Sequence, residues 1–271
     1  MTKKEYEILC SKSKGFLFHS FSFLSYEIVK TARIIWQDED CIVCRYWDDS
    51  AGYEKIHWMA NSLEALWDVV KSQNEPILIS FVPRSWKEKL LSYGCEEYAQ
   101  FHDFIRMMSA RDTCDDVLSY IKEGDEAKAS ILTMRCAGIS RGFTGESEAF
   151  LRNWKQGCEA SLLEIHAQSS DILCSYDQEV LCGIALTAVY GTEDQKILWL
   201  RLIAVDPAMQ KRGIGGSLMR QVLAYGVKHQ VKKAFLAADI CNAHAIHLYE
   251  KNGFQMDQDD AELILLYHGI Q

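Results

Sequence analysis

The segment best suited to chemistry is a glycine-containing loop between a predicted strand and a predicted helix. The strand ends at Asp206-Pro207, and Gln210-Lys211-Arg212-Gly213-Ile214-Gly215-Gly216 leads directly into an amphipathic helix. A helix N-terminus carries unpaired N–H groups and a partial positive charge, and glycine lets the backbone come close to a ligand. Lys211 and Arg212 add positive charge. The segment therefore predicts a binding site for a phosphate or pyrophosphate group.

Two better known phosphate-binding patterns do not describe this loop. A P-loop requires Gly-Lys-Ser/Thr after its spacer, which is missing here, and a Gly-x-Gly-x-x-Gly pattern would need glycine in place of Leu218. A glycine-containing helix start with a solvated basic pair is the alternative interpretation. The glycines by themselves do not decide between the two.

A second motif makes the loop part of a larger pattern. Gln210–Gly216 resembles the Gln/Arg-x-x-Gly-x-Gly/Ala signature of the GNAT superfamily of N-acetyltransferases. Asn242–Phe254 is similar to the superfamily's Asn-x-x-Ala-x-x-Leu-Tyr-x-x-x-Gly-Phe segment. Two motifs in this order are far more specific than either one alone. The resemblance is close over residues 172–267 and loose over 112–171, and residues 1–110 carry no motif of it.

The resemblance implies an α/β (α+β) fold in which helices flank a mixed, mostly antiparallel sheet. It implies that the fourth and fifth strands of this sheet splay apart and that acetyl-CoA, the cosubstrate, lies in the gap. The backbone of Ile203, Ala204 and Val205 would then bind the pantetheine arm, and the Val205 N–H would polarise the thioester carbonyl. The N–H groups of Gln210–Gly216 would hold the pyrophosphate, and Asn242 would touch the arm.

The same resemblance implies that Tyr249 is the general acid that protonates the thiolate of CoA as it leaves. An unperturbed phenol has a pKa of about 10, close enough to the roughly 8.5 of a thiol for it to act as a proton donor. The alternative interpretation is a helix tyrosine that packs against the sheet.

The general base is less well defined, because the sequence departs from its relatives at the expected positions. Members of the superfamily often carry a glutamate on the fourth strand, where this chain has Arg201, or on the fifth, where it has Ala237. Asp239 lies two residues further, on the same face of the strand, and is the first candidate. A turn-forming aspartate is the alternative. Further candidates for the base are Glu164, His166, Asp177 and water.

Composition excludes several other classes of protein. The 271 residues carry 29 basic and 38 acidic side chains, a formal charge of −9, which argues against a nucleic-acid or anionic-membrane partner. No run of about 18 apolar residues and no secretory signal occur, so we expect a cytoplasmic protein with reduced thiols. Cys41 and Cys44 lie in a β-prone run that turns them to opposite faces, and we expect no metal.

The strands and helices predicted around these residues fall into two similar halves of the chain. Each half reads as strand, helix, apolar strand, short helix, glycine and strand, with Gly94 and Gly253 as the two glycines. We therefore predict a degenerate GNAT-like domain over residues 1–110 and the acetyltransferase domain over residues 111–271. In the latter, Asp115–Ile121 is expected to be helical.

The sequence as a whole predicts an enzyme that transfers an acetyl group, or a longer acyl group, from CoA to a primary amine of a small molecule or peptide. The first half would carry no cofactor and would shape the acceptor side or mediate contact between the halves. A hypothesis from another class is an acyl-CoA-binding sensor or interaction module without catalysis. The acceptor and the oligomeric state stay open, with a homodimer as one arrangement.

Overall fold

The computed structural model describes residues 1–21, 26–109, 112, 117–141 and 143–269. The chain divides into two compact units, Met1–Phe101 with Ala261–Gln271, and His102–Asp260. Ala110, where the sequence predicts the domain boundary, lies outside the described residues, and that boundary stays a prediction.

The elements are numbered along the chain. The helices are α1 (Lys3–Ser13), α2 (Tyr26–Val29), α3 (Leu63–Val70), α4 (Arg84–Ser92), α5 (Glu126–Arg135), α6 (Glu148–Lys155), α7 (Ala160–Glu164), α8 (Ile214–Lys228) and α9 (Ala243–Lys251). The strands are β1 (Phe18–His19), β2 (Arg33–Gln37), β3 (Cys41–Asp48), β4 (Tyr53–Ala60), β5 (Ile77–Ile79), β6 (Glu96–Met107), β7 (Ser169–Asp177), β8 (Val180–Thr192), β9 (Gln195–Val205), β10 (Lys233–Asp239) and β11 (Gln255–Tyr267).

In the first unit the strand order is β2-β3-β4-β5-β11. The neighbours are antiparallel except for β4 and β5, which are parallel and are joined in sequence by α3. The continuous apolar run Ile77–Ile79 is fully buried, as expected for a strand covered on both faces. Cys41 and Cys44 lie in different apolar clusters, so the prediction that they face opposite sides of β3 is confirmed.

In the second unit the order is β7-β8-β9-β10-β6. The pairs β7–β8 and β8–β9 are antiparallel, whereas β9 and β10 are parallel and are joined in sequence by α8. One face of this sheet packs on α8 and α9, and the other packs on α5, α6 and α7. The predicted mixed, mostly antiparallel sheet flanked by helices is confirmed.

The predicted internal repeat is confirmed at the level of topology. In both units a strand, a helix, a parallel strand and a second helix follow one another, and the second helix ends at a glycine with positive φ. These glycines are Gly94 (φ 91°) and Gly253 (φ 81°), which terminate α4 and α9. The chain thus has a tandem arrangement of two similar units.

The prediction of a helix over Asp115–Ile121 is wrong in its described part, residues 117–121. Ile121 N–H donates to Ile172 O (2.9 Å), and Cys174 N–H donates to Ser119 O (2.7 Å). Because these backbone groups bond to β7, they are not available for the bonds of a helical turn. Residues 113–116 lie outside the described residues.

Candidate functional site

Strands β9 and β10 separate part of the way along their length. Their ladder pairs Lys233 with Ile197, Ala234 with Leu198 and Phe235 with Trp199, and then ends. Both strands continue, β9 to Val205 and β10 to Asp239. Among the described residues, the second half of β9 therefore pairs with β8 alone, and a gap opens towards β10.

A β-bulge lies at the point where the gap begins. The β8–β9 register passes from Leu200↔Thr187 to Leu202↔Leu186, which leaves Arg201 as the extra residue. A bulge interrupts the ladder, increases the local twist and redirects the strand. We therefore attribute the separation of β9 from β10 to this bulge.

The backbone groups of β9 that face the gap differ in whether they already have a hydrogen-bond partner. Asp206 N–H donates to Cys182 O (2.9 Å), which places it on the β8 side. Since successive residues of a strand point their N–H groups to opposite edges, Val205 and Ile203 face the gap and Ala204 faces β8. The Val205 carbonyl already accepts the side-chain amide of Gln210 (3.2 Å) and the thiol of Cys136 (3.4 Å). The Val205 N–H faces the same gap and is not used by these two contacts.

The loop after β9 is built around Asp206. Its carboxylate accepts Ala208 N–H (2.9 Å) and pairs with Arg135 (2.8 Å), and it caps the 3-10 turn Pro207–Met209. The Ala208 N–H first, and then Arg135, hold the pKa of Asp206 below its usual range. Gly213 then adopts φ 81°, a left-handed conformation that suits glycine.

Helix α8 begins without a cap. Its N-cap is Gly213, which has no side chain to accept the first N–H groups, and its first turn contains no acidic residue. Ile214, Gly215 and Gly216 form that turn, and each is partly exposed. Lys211 and Arg212 are exposed and make no ion pair with a described residue. This arrangement of free N–H groups and unpaired cations is suited to a phosphate or pyrophosphate group.

Helix α9 holds the other two residues of the predicted site. Asn242 is its N-cap, with Oδ1 accepting Ala245 N–H (3.2 Å), so its side chain has a structural task besides any ligand contact. Tyr249 is 7% exposed and packs near Phe104 and Phe254, with ring centroids 5.9 and 6.3 Å away. Burial raises the pKa of Tyr249 above that of a free phenol, so its hydroxyl stays protonated.

Asp239 lies at the end of β10 and is 1% exposed. One carboxylate oxygen accepts Arg141 N–H (3.1 Å) and lies 3.6 Å from the Arg141 Nε, and the other accepts Cys241 N–H (3.0 Å). Its carboxylate therefore anchors the α5–α6 loop to β10. To act as a base it would have to exchange some of these bonds, and its catalytic role stays a prediction.

Sequence reasoning did not single out Glu146, which lies in the loop before α6. Its carboxylate is 3.3 Å from an Arg201 Nη, and the Arg201 guanidinium lies 5.9 Å from the centre of the Phe150 ring. Arg201 is therefore paired with an acid rather than free in solvent. No motif surrounds Glu146, and only the fold brings it to β9. The other base candidates, Glu164, His166 and Asp177, are exposed and lie on neither β9 nor β10.

Two classes of site have no support among residues 1–21, 26–109, 112, 117–141 and 143–269. Within these ranges no helix combines the length and apolar character needed to cross a bilayer. The same described residues contain no cluster of three or more His, Cys, Asp or Glu side chains arranged to hold a metal ion.

Comparison with known proteins gives a family match within the second unit. Residues 141–254 match the model of the acetyltransferase (GNAT) family. A mycothiol acetyltransferase of Acidimicrobium ferrooxidans is 32% identical over 85 residues, which make up 31% of this chain and 27% of that protein. The chain therefore spans little more than a quarter of the length of that curated relative.

Solved structures resemble most of the chain. A GCN5-related N-acetyltransferase from Sphaerobacter thermophilus has a TM-score of 0.56 and 12% identity, covering 86% of this chain and 78% of that one. A tandem GNAT protein from the clavulanic acid biosynthesis pathway has a TM-score of 0.55 and 12% identity, covering 84% and 79%. At this level of identity the likeness is one of fold.

Proposed function

We propose that the chain is an acyl-CoA-dependent N-acetyltransferase, because residues 141–254 match the model of the GNAT acetyltransferase family. Its acceptor is a primary amine of a small molecule or peptide. The observation that carries the proposal is the uncapped start of α8, flanked by Lys211 and Arg212, at the end of a strand that borders the β9–β10 gap.

Acetyl-CoA fits this gap in two separate ways. The free N–H groups at Gly213–Gly216 suit the two negative charges of a pyrophosphate. The Val205 N–H and the Ile203 backbone offer the pantetheine amides the bonds that a neighbouring strand would make. The cap bond of Asn242, at the start of α9, uses its Oδ1, so its side-chain NH₂ would be the group that contacts the same arm. When bound, acetyl-CoA supplies an acetyl group that is activated as a thioester.

Tyr249 is the proposed general acid. Its surroundings are apolar, and burial keeps its hydroxyl in the protonated form that an acid needs. Asp239 is the base candidate at the end of β10, and the Val205 N–H would stabilise the charge that develops on the thioester oxygen.

Calorimetric titration with acetyl-CoA and a thiol-release assay against a panel of primary amines test this function. We expect saturable binding of acetyl-CoA and release of free thiol that depends on the amine. Binding without thiol release from any amine would favour the sensor over the enzyme. If acetyl-CoA does not bind, the assignment of the α8 start as its pyrophosphate site is wrong.

A further inference from the structure

The loop between α5 and α6 contacts both strands that border the gap. Arg141, near its middle, binds the carboxylate of Asp239 at the end of β10. Glu146, near its end, pairs with Arg201 at the bulge of β9. The loop therefore brings an acidic side chain to the place where the β9–β10 ladder has ended.

The backbone around Glu146 is held firmly. Its N–H donates to Thr133 Oγ1 (2.9 Å), and its carbonyl accepts the Ser130 hydroxyl (2.8 Å), so two residues of α5 fix its position. The preceding residue is Gly145 with φ 95°, where an added Cβ would lie 2.7 Å from the backbone of Met134. Such close packing fixes the backbone from which the Glu146 side chain extends.

The environment of the carboxylate differs from that of a surface salt bridge. The Glu146 side chain is 13% exposed and that of Arg201 is 35% exposed. Desolvation raises the pKa of Glu146, the Arg201 guanidinium opposes that shift, and the charge of Glu159 adds to it. A carboxyl whose pKa is raised towards neutrality is a better base than an exposed one.

We propose that Glu146 is the general base of this enzyme and that it binds the acceptor amine as its cation beside the Arg201 bulge. This inference rests on the proposed function. It names a residue for the base because the strand positions at which relatives carry a glutamate hold Arg201 and Ala237 in this chain. Glu146 is preferred to Asp239 because, among the described residues, its carboxylate pairs with Arg201 alone, whereas that of Asp239 is engaged by the backbone N–H groups of Arg141 and Cys241 and by the Arg141 side chain.

The proton balance of the step assigns one task to each side chain. Glu146 takes a proton from the amine, whose lone pair then forms the new C–N bond to the acetyl carbon. The C–S bond breaks, and the sulfur receives the proton of the Tyr249 hydroxyl. The nitrogen gives its second proton, by way of water, to the Tyr249 phenolate, and Glu146 releases its proton to solvent. The ammonium and the thioester thus become amide, thiol and one released proton. Tyr249 belongs to the α8–α9 side of the sheet and Glu146 to the α5–α6 side, so acid and base approach from opposite faces.

Arg201 is a positioning residue in this scheme. Its guanidinium lies 5.9 Å from the centre of the Phe150 ring and pairs with the Glu146 carboxylate, so it orients the base without touching the reacting atoms. It also favours the ionised carboxylate, which is the form able to accept a proton.

The test compares Glu146→Gln with Glu148→Gln, an exposed glutamate of the adjoining α6. For the best amine of the panel, we expect Glu146→Gln to bind acetyl-CoA normally and to lose about 10²–10⁴-fold in kcat, the usual range for a general base. The wild-type rate should fall as pH drops through the raised pKa of Glu146, and this ionisation should be absent from the variant. The deficit should shrink towards pH 10, where the amine loses its proton unaided. Glu148→Gln should match the wild type.

Each contrary outcome has its own meaning. A Glu146→Gln rate within about threefold of the wild type, or an unchanged acidic limb of the pH profile, would overturn the assignment of Glu146 and leave the transferase intact. Loss of acetyl-CoA binding by Glu146→Gln would give Glu146 a structural role instead. A wild-type protein that binds acetyl-CoA and acetylates no amine would refute the transferase itself, and that result is visible before any variant is made.

Discussion

At the residue scale, Tyr249 and Glu146 are suited to opposite tasks by their surroundings. Tyr249 lies among apolar side chains, and burial raises its pKa, so the neutral, proton-bearing form persists. Glu146 is also largely buried, but a guanidinium stands beside it and opposes the rise of its pKa. A donor in an apolar layer and an acceptor next to a cation form the kind of pair that acid–base catalysis requires.

Tyr249→Phe separates catalysis from binding. The substitution keeps the ring contacts with Phe104 and Phe254 and removes only the hydroxyl, so we expect acetyl-CoA affinity and melting temperature to be retained. Because the leaving thiolate then lacks its proton donor, kcat should fall by about 10²–10⁴-fold. Thiol release under saturating acetyl-CoA measures this. Unchanged turnover would remove Tyr249 from the mechanism.

Asp239→Asn tests the anchoring of the α5–α6 loop. Asn can still accept one N–H, but it loses its charge opposite Arg141, so we expect unfolding to become easier by about 1–3 kcal/mol. Urea denaturation measures the loss, with Asp177→Asn at the exposed end of β7 as the control. If stability is retained while an ionisation disappears from the pH dependence of turnover, Asp239 rather than Glu146 would be the general base.

At the element scale, the two helices that each connect a pair of parallel strands, α3 and α8, begin differently. In the first unit α3 is capped by Ser62, whose hydroxyl accepts Ala65 N–H (3.1 Å), and its first turn contains Glu64. In the second unit α8 has no side-chain cap and no acid in its first turn. Capping satisfies the N–H groups that an anion would otherwise bind, and an acid repels that anion. Of these two helix starts, that of α8 is therefore the one suited to a phosphate group.

Two glycines at the start of α8 are predicted to respond oppositely to alanine. Neither Gly213 nor Gly216 has an atom within 4 Å of an added Cβ. Gly213→Ala must place alanine at φ 81° and should cost about 1–2 kcal/mol of stability. Gly216→Ala lies within the helix and should stabilise the free protein by about 0.5–1 kcal/mol. Denaturant titration of both variants compares them. An equal effect of the two would contradict the left-handed conformation at Gly213.

The charge of the loop should act on cofactor affinity rather than on folding. We expect Lys211→Ala with Arg212→Ala to weaken acetyl-CoA binding by roughly tenfold, equivalent to about 1.4 kcal/mol, and to reduce its dependence on salt. Calorimetry at low and high ionic strength measures both effects. Lys3→Ala with Lys4→Ala removes two exposed lysines from α1 and is the matched control. A similar loss in the control would indicate a general effect of net charge.

At the scale of the whole molecule, the first unit is completed by the end of the chain. Residues Ala261–Gln271 belong to this unit, and β11 pairs with β5 through Leu265↔Ile79. Leu263 and Leu265 are buried in the same cluster as Trp58 and Leu66. The first unit therefore needs residues from both ends of the sequence, and a cut near residue 110 would remove its last strand.

Leu265→Ala should destabilise the protein by about 2–5 kcal/mol, because a fully buried side chain leaves a cavity behind. Leu17→Ala is the control, since Leu17 is 76% exposed in the same unit and its loss should change stability little. Denaturant titration of the two variants provides the measurement. Equal, small effects would show that the C-terminal strand adds little to the stability of the first unit.

The local features of this protein could be predicted from its sequence. Strand and helix periodicity, the glycine-containing loop at Gln210–Gly216 and the glycine after α9 are encoded by neighbouring residues, because turn chemistry and side-chain spacing act over a few positions. The second motif added Asn242 and Tyr249, and the structure places them at the start and on the buried face of α9.

Only the tertiary structure decided how these pieces meet. Ala204 faces β8 because of the register of a ladder, and Asp239 is engaged because Arg141 reaches it from a distant loop. Glu146 lies next to Arg201 for the same reason. Such contacts join segments far apart in the chain and follow from the packing of the sheet, its bulge and its helices. A local sequence pattern does not encode these contacts, because it specifies which element forms but not which residues that element contacts.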